Sequence, residues 1–477
     1  MGEITLTESQ SKALEFIKKW VKSKNTEGPG GAIEGAMMSL EGKAGTGKTT
    51  LMREFLKWAE KNSLVVVGAA LSHEASNVLR EMSIPIVHTT AACYEMKPVI
   101  DKDTGQRTFQ QVKSGGYNMS PAASARYGAN VIVIDESSMV DYKMLSIISD
   151  YKNYSKRKQF KVIFVGDSHQ LPPPGGKTKG QGNASPVFDL PNRVVLKEIV
   201  RTDDDAITNF TNYLADKIEN NVLSLPPSWE DYFSKDSVEY ITRPEAIELA
   251  VRDPGKVSIV GYRNVLVDAY NARIRSLLYP DSISKYEKGE RVISYAPSAG
   301  EIVPTWSATN QSWYISQPNS GEGIKNGKKT EVLDVMPYTV NLSKAFINNL
   351  PANMDSQVIT IECYRLILSG IDIPILVPYE HESSKIAKIK NMLRSIAIEQ
   401  KSSYLWKRYY SFLDMFGDLR PAHARTIYKA QGLTLDTVIV DYPDIVGTGP
   451  LKTLDKIKAL YTAASRAKRR LYVITKI

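Results

Sequence analysis

The segment Gly42-Lys43-Ala44-Gly45-Thr46-Gly47-Lys48-Thr49 matches G-x-x-x-x-G-K-[ST], and no other feature of the chain restricts its fold so sharply. The pattern has meaning only where a strand precedes it and a helix follows it. Ala36-Met37-Met38-Ser39-Leu40 is short and apolar, as a buried strand is, and from Leu51 to Lys61 the residues Phe55 and Ala59 fall four apart on a helical face. In that setting the glycines let backbone N–H groups close around phosphate oxygens, and the new helix adds the positive end of its dipole. Gly45, Thr46, Gly47 and Thr50 would complete the cradle, Lys48 would reach the β- and γ-phosphates of ATP, and the Thr49 hydroxyl would hold Mg²⁺. An α/β fold of the P-loop type is expected.

Two further apolar runs end in polar loops, as buried parallel strands do at the ligand-binding edge of such sheets. Val131-Ile132-Val133-Ile134 delivers Asp135 and Glu136. Asp135 would complete the Mg²⁺ coordination, and Glu136 would activate an attacking water. Val162-Ile163-Phe164-Val165 leads into Gly166-Asp167-Ser168-His169-Gln170-Leu171, where Gln170 can sense the γ-phosphate, and Pro172-Pro173-Pro174 then forms a stiff extended segment. Two arginines are placed to supply transition-state charge. Arg201 follows the strand-like run Val194 to Val200, and Arg466 closes a helical stretch before a final strand, Leu471 to Ile474.

Composition narrows the setting. At roughly 100–200 residues per domain, 477 residues make about two to four domains, and 42% hydrophobic residues suffice for sizeable cores. No run approaches the roughly 18 apolar residues of a membrane span. Met1-Gly2-Glu3-Ile4-Thr5 has neither the basic nor the apolar region of a signal peptide, and Cys93 and Cys363 follow no metal or disulfide spacing, so a reduced, cytoplasmic setting is expected. The 5 histidines show no paired-ligand spacing, which argues against a zinc site. A net charge of +9 mildly favours a polyanionic partner.

Taken in order, these segments resemble superfamily 1B DNA helicases of the RecD/Dda branch, and the resemblance runs from Leu6 to Val473. It is carried by Leu6-Thr7-Glu8-Ser9-Gln10, the P-loop, Asp135-Glu136-Ser137-Ser138-Met139, Gly166-Asp167-x-x-Gln170, Ala424 to Gly432, and Tyr461-Thr462-Ala463-x-Ser465-Arg466. The resemblance implies a monomeric motor with two RecA-like domains and ATP between them. Gln10 would read adenine, Gln431 and Gly432 would line the nucleotide, and Arg201 and Arg466 would reach across from the second domain. It also implies 5′→3′ travel on single-stranded DNA, and a bacteriophage source with action in the host cytoplasm. Ser72, His73, His88, Thr89, Pro173, Tyr428, Lys429 and Thr434 are the strand-contacting candidates by motif position. Such groups touch phosphates rather than base edges, so binding should be sequence-tolerant and salt-sensitive. The sequence departs from the pattern at Leu71 and Ser72, where the branch has Pro-Thr, at Tyr428, where it has histidine, and at Val200, where related motors carry an aromatic residue.

Three regions lie outside the motor motifs. Lys97 to Asp101 and Gln106 to Gln110 flank Lys102-Asp103-Thr104-Gly105 and read as a β-hairpin. The resemblance makes it a duplex-splitting pin bearing Pro98 and Phe109. Between Glu290 and Glu380, strand-like segments at Lys329 to Tyr338 and Gln357 to Leu368 alternate with turn signals at Asn319-Ser320-Gly321, Asn326-Gly327 and Ser369-Gly370. They read as a small β-barrel, SH3-like by resemblance. Ile386, Ile389, Leu393 and Ile396 share one helical face and Leu405, Tyr409, Phe412 and Phe416 another, so a helical arm follows. Tyr404, Trp406, Lys407, Arg408, Tyr409 and Tyr410 form a cluster that could stack bases, although the buried period claims Tyr409 for packing.

The expected organisation is thus a first RecA-like domain at 1–92 and 118–194, the pin at 93–117, a second RecA-like domain at 195–288 and 420–477, and the barrel with its arm at 289–419. The expected function is ATP-dependent 5′→3′ unwinding of duplex DNA from a single-stranded track. An RNA helicase of the same superfamily and a translocase that remodels nucleoprotein without unwinding are the rival readings. Single-strand-binding, recombination or replication proteins are the expected protein partners, and no membrane is involved.

Overall fold

The computed structural model describes residues 6–24, 26–27, 33–71, 75–76, 79–80, 82–100, 107–111, 121–150, 160–172, 185–198, 206–222, 238–300, 304–307, 312–315, 323–342, 360–447 and 452–476. The chain divides into two compact units. The larger comprises Met1–Lys97, Gln111–Tyr270 and His423–Ile477, and the smaller comprises Pro98–Gln110 and Asn271–Ala422.

The larger unit holds two parallel sheets, which define two lobes. In the first lobe, α1 (Glu8–Lys22) begins with a reciprocal cap between Thr7 and Gln10 and buries Ala13, Leu14, Ile17 and Trp20. A two-stranded ribbon, β1 (Thr26–Glu27) with β2 (Ile33–Glu34), precedes β3 (Met37–Gly42) and α2 (Lys48–Lys61). Next come β4 (Val66–Ala70), β5 (Ile86–Thr89) and the short α3 (Thr90–Cys93), after which the chain runs through β6 (Met96–Ile100) and β7 (Arg107–Gln111), which fall mostly in the smaller unit. The lobe ends with α4 (Pro121–Gly128), β8 (Val131–Ile134), α5 (Tyr142–Ser149), β9 (Lys161–Gly166) and β10 (Arg193–Leu196). Six strands form one sheet in the order β10-β3-β9-β8-β4-β5, and every pairing is parallel. Strands 3, 8 and 9 are buried along nearly their whole length because helices and loops cover both faces, and strands 8 and 9 are accordingly almost wholly apolar. One face gathers Leu40, Phe55, Val133 and Ile163, the other Val67, Ile132, Phe164 and Phe188. The run beginning at Val194 is therefore an edge strand of this first sheet, paired with β3 through Leu196.

In the second lobe, α6 (Ala206–Glu219) is followed by β11 (Val238–Thr242), α7 (Arg243–Arg252), β12 (Val257–Gly261) and α8 (Asn264–Leu278). Strands and helices of the smaller unit intervene before β20 (Ala424–Thr426), α11 (Ile427–Ala430), β21 (Leu435–Asp441), α12 (Tyr442–Val446), α13 (Thr453–Ala464) and β22 (Ala467–Lys476). The sheet order is β11-β22-β21-β12-β20, again all parallel. Helix α13 packs against α6 and is buried from Ile457 to Ala464. The core of this lobe also takes in Leu171, a residue of the loop that leaves β9 in the first lobe.

The smaller unit is antiparallel. It contains β13 (Arg291–Ser294), the paired β14 (Pro304–Ser307) and β15 (Ser312–Ile315), β16 (Lys329–Asn341), β17 (Thr360–Leu368), β18 (Ile375–Pro378) and β19 (Leu419–Pro421). The five-stranded order is β18-β17-β16-β13-β19. The turns expected at Asn326-Gly327 and Ser369-Gly370 are formed, with φ of 85° and 68° at the glycines. The turn expected at 319–321 lies outside the described residues. Strands β6 and β7 form a separate two-stranded sheet, the hairpin read between Lys97 and Gln110.

Helices α9 (Ser383–Glu399) and α10 (Ser403–Met415) pack on each other, with a left-handed Lys401 (φ 45°) in the turn between them. Ile389, Leu393, Tyr409 and Phe412 are buried as their period predicted. Trp406 differs from the reading as a stacking surface. It is 1% exposed, lies edge-on to Tyr409 at 5.5 Å, and belongs to the core beneath the arm. Among the aromatic residues of that cluster, Tyr404 is the exposed one at 58%.

Candidate nucleotide cleft

The phosphate loop leaves β3 at the carboxyl edge of the first sheet, beside β9, where open α/β sheets bind ligands. Gly45 and Gly47 adopt φ of 83° and 78°, the left-handed conformation that a side chain disfavours, and Gly47 opens α2 without a side-chain cap. The first N–H groups of α2 thus point into the loop without a side-chain acceptor, as an anion site requires. Lys48 donates from Nζ to the carbonyls of Gly42 (2.6 Å) and Lys43 (3.0 Å), which aims its charge along the loop. Thr49 and Thr50 stand half-buried in the first turn of α2, and Thr46 is fully buried. Gln10 is 2% exposed and docks against this loop. Its Nε2 donates to the Thr46 carbonyl at 3.1 Å, and its Oε1 accepts from the Thr7 N–H.

Strand β8 delivers the two carboxylates. Asp135 is 9% exposed, and burial together with the adjacent Glu136 pushes its carboxyl up to about 7. A carboxylate so placed calls for a cation. With the Thr49 hydroxyl and phosphate oxygens it would make the hard, all-oxygen donor set that suits Mg²⁺. Glu136 sits in the left-handed region (φ 53°, ψ 40°), a conformation that costs a non-glycine residue about 1–3 kcal/mol and gathers at functional sites. Its side chain lies toward the second lobe. A Cβ added at Gly432 (φ 80°) would lie 3.4 Å from the Glu136 Cγ, and Arg466 Nη1 lies 3.9 Å from its Oε1.

Arg466 is 6% exposed and is held by the carbonyls of Thr462 (3.1 Å) and Leu433 (3.4 Å) and by the Ser465 hydroxyl (2.9 Å). Gln431 crosses between lobes, its Nε2 donating to Ser138 Oγ (3.1 Å), Gln170 Oε1 (3.2 Å) and the Leu171 carbonyl (3.3 Å). Lys48, Asp135, Glu136, Gln170, Gln431, Gly432 and Arg466, scattered over the sequence, therefore meet in one cleft. Arg201 lies outside the described residues.

A second set of cross-lobe contacts was not expected from the sequence. The Tyr461 hydroxyl donates to Asp167 Oδ2 (2.5 Å) and accepts from the N–H of Ala44 in the phosphate loop (3.0 Å). The Thr462 hydroxyl accepts from the Leu171 N–H (2.9 Å), and Lys458 Nζ donates to the Ser168 carbonyl (3.0 Å). Lys43 Nζ reaches Asp216 and Glu219, both at 3.0 Å, on the last turn of α6. Tyr461 stood inside a recognised motif without an assigned role. Asp216 and Glu219 carry no motif, and acids on an amphipathic helix read as its solvent face.

The strand-contacting candidates divide. His88 and Thr89 end β5 at the carboxyl edge of the first sheet, and the Thr89 hydroxyl already caps α3 by accepting from the Ala92 N–H at 3.2 Å. Burial beside Arg80 holds the His88 imidazole below its usual range. Tyr428 packs against the second-lobe core, where burial pushes its hydroxyl up to about 12, while Lys429 is half-buried and Thr434 exposed. Ser72, His73 and Pro173, and the side chains of Pro98 and Phe109, lie outside the described residues.

Residues 32–225 match the model of an AAA domain, and residues 421–474 match that of a UvrD-like helicase C-terminal domain. An uncharacterized protein of Acanthamoeba polyphaga mimivirus is 22% identical over 529 residues, covering 97% of each chain. The ATP-dependent DNA helicase Dda of Enterobacteria phage T4 is 22% identical over 465 residues, covering 92% of this chain and 93% of its own. The fold resembles the Pif1 helicase from Bacteroides in complex with ADP-AlF3 and ssDNA, with a TM-score of 0.50 at 17% identity over 100% of this chain and 94% of that one. Together with the phosphate loop, the paired carboxylates and the cross-lobe arginine and glutamines, these matches support a superfamily 1B helicase of the Pif1/Dda-like group with ATPase activity.

Proposed function

We propose that this chain is an ATP-driven motor that moves 5′→3′ along single-stranded DNA and separates duplex DNA ahead of it. The observation that carries the reading is the division of the cleft. Glu136 belongs to the first lobe, and the groups facing it, Gly432 and Arg466, belong to the second. A reaction assembled from two lobes is complete only when they close, so hydrolysis is tied to their relative motion. Glu136 accepts a proton from the attacking water, Lys48 and Arg466 neutralise the charge developing on the phosphoryl oxygens, and Gln170, hydrogen-bonded to Gln431, passes the state of that site to the loop after β9. Thr49 and Asp135 would hold Mg²⁺, which supplies charge neutralisation at the phosphates. Gln10 would read adenine, and Arg201 would add a second charge from across the cleft.

The DNA track would run over the loops carrying Ser72, His73, His88, Thr89, Pro173, Tyr428, Lys429 and Thr434. In this reading the motor domains are 1–92 with 118–194 and 195–288 with 420–477, the bound at 194 shifted past Leu196 because β10 pairs with β3 in the first sheet. The hairpin within 93–117 splits the duplex through Pro98 and Phe109, and the antiparallel sheet and arm of 289–419 are the SH3-like insertion. The motor works as a monomer and meets single-strand-binding, recombination or replication proteins on its track. Polarity and DNA preference rest on the family resemblance and on the named activity of the phage relative.

The test is steady-state ATPase activity alone, with single-stranded DNA, and with single-stranded RNA of matched length, followed by unwinding of duplexes tailed at either end. Stimulation by DNA and unwinding from the 5′-tailed substrate are expected. Stronger stimulation by RNA would move the substrate to RNA, and unwinding only from a 3′ tail would reverse the polarity. Phe109→Ala should abolish unwinding while sparing ATPase activity. Unwinding at the wild-type rate would remove the hairpin from the splitting role and favour a translocase that remodels nucleoprotein.

A further inference from the structure

His169 lies in the loop after β9, one residue before the γ-phosphate sensor Gln170, and no step described above uses it. It is 7% exposed, and each ring nitrogen faces a carboxylate: Nδ1 lies 2.8 Å from Asp167 Oδ1 in its own lobe, and Nε2 lies 2.9 Å from Glu219 Oε1 in the second lobe. Only an imidazolium can donate to both. The same Glu219 oxygen lies 3.0 Å from Lys43 Nζ of the phosphate loop, and the other oxygen of Asp167 accepts from the Tyr461 hydroxyl. Asp216 and Glu219 occupy the last turn of α6, the negative end of its dipole, where acids are disfavoured unless cations offset them. Lys43 and His169 are those cations.

We propose that His169 is a positioning residue of the motor: as an imidazolium bridging Asp167 and Glu219, it fixes the closed spacing of the lobes and with it the alignment of Gln170 against Gln431. The consequence for turnover rests on the motor reading, whereas the bridge itself rests on geometry alone. The charged and titratable groups around the ring are Asp167, Glu219 and, through Glu219, Lys43 and Asp216. Tyr461 lies 5.7 Å away ring to ring, Lys458 and Glu41 bond the neighbouring Ser168, and the Lys48 charge acts on Asp167. Burial alone would lower the imidazole's pKa, but the hydrogen bonds and charges of Asp167 and Glu219 outweigh it and hold the group above the usual histidine range. A group raised in the folded state contributes fully below its ordinary value and is lost as pH rises through the raised one. The bridge is therefore complete in mildly acidic solution and dissolves on the alkaline side.

The experiment is an NMR titration of the histidine side chains in the full chain, with the His169 resonance assigned by His169→Gln, alongside the pH profile of DNA-stimulated ATPase activity. Glu219→Gln is the informative variant because Glu219 is half exposed and folding should survive it. The His169 midpoint should fall by about one pH unit in Glu219→Gln. The alkaline limb of kcat should move down with it, while KM for ATP changes less because Lys43 keeps Asp216 and Lys48 keeps its bonds to the Gly42 and Lys43 carbonyls. His169→Gln should flatten that limb. A His169 midpoint that does not respond to Glu219→Gln overturns the bridge. A midpoint that moves while the kcat profile stays fixed overturns the positioning role. If the midpoint moves as expected and wild-type protein hydrolyses no ATP under any condition, the motor reading fails and the bridge stands.

Discussion

The nucleotide cleft and the helical arm are both rich in buried functional-looking side chains, and they use burial in opposite ways. In the cleft, Asp135, Asp167, His169, Gln170, Gln431 and Arg466 are each less than half exposed, and polar contacts between Gln431 and Gln170, His169 and Glu219, and Arg466 and Glu136 cross between lobes. In the arm, Trp406, Tyr409 and Phe412 are buried against Leu342, Ile361 and Leu376. Burying charge costs free energy that packing does not return, whereas burying an indole returns it directly. The cleft is thus arranged for chemistry at the expense of stability and the arm for stability without chemistry. Substitutions in the two regions should separate along those lines.

The largest expected effect is in the cleft. Arg466→Ala should lower DNA-stimulated turnover by about 10³–10⁵-fold, the worth of a cross-domain arginine in P-loop enzymes, with nucleotide binding retained. Unchanged turnover would take Arg466 out of the reaction. In the arm, Trp406→Ala should destabilise by about 3–5 kcal/mol, read as an earlier denaturant midpoint. A variant that keeps its stability but loses single-stranded DNA binding would return Trp406 to a stacking role. Thr89→Ala removes the cap of α3 and should cost about 1 kcal/mol. A drop in single-stranded DNA affinity with a shallower salt dependence would add a phosphate contact to that structural role. Tyr404→Ala is the smallest, within about 0.5 kcal/mol in stability because the side chain is exposed. Any sizeable loss of DNA affinity there would place a base on the arm after all.

The same contrast explains what could be read from the sequence. The phosphate loop, Asp135-Glu136 and Gly166-Asp167-x-x-Gln170 were legible because each joins a buried strand to a polar turn, and local chemistry identifies the pair. Tyr409 and Phe412 were legible from helical period. Trp406 was not, because in a broad apolar stripe an aromatic beside Lys407 and Arg408 looks the same whether it faces solvent or core. Asp216 and Glu219 were hidden for a different reason. Their partners Lys43 and His169 lie far away in sequence, and the pairing exists only once α6 is laid beside the first lobe. Strand adjacency was likewise non-local: that the run from Arg193 to Leu196 pairs with β3 follows from sheet order, which no local pattern encodes.

Leu171 carries a mechanical consequence. It leaves the first lobe yet is 1% exposed within the core of the second, like a ball seated in a socket. Drawing a leucine out of such a seat into water costs about 1.5–3 kcal/mol. Under the proposed motor reading, any opening of the cleft has to lift this detent, which sits one residue beyond Gln170, the residue proposed to sense the nucleotide.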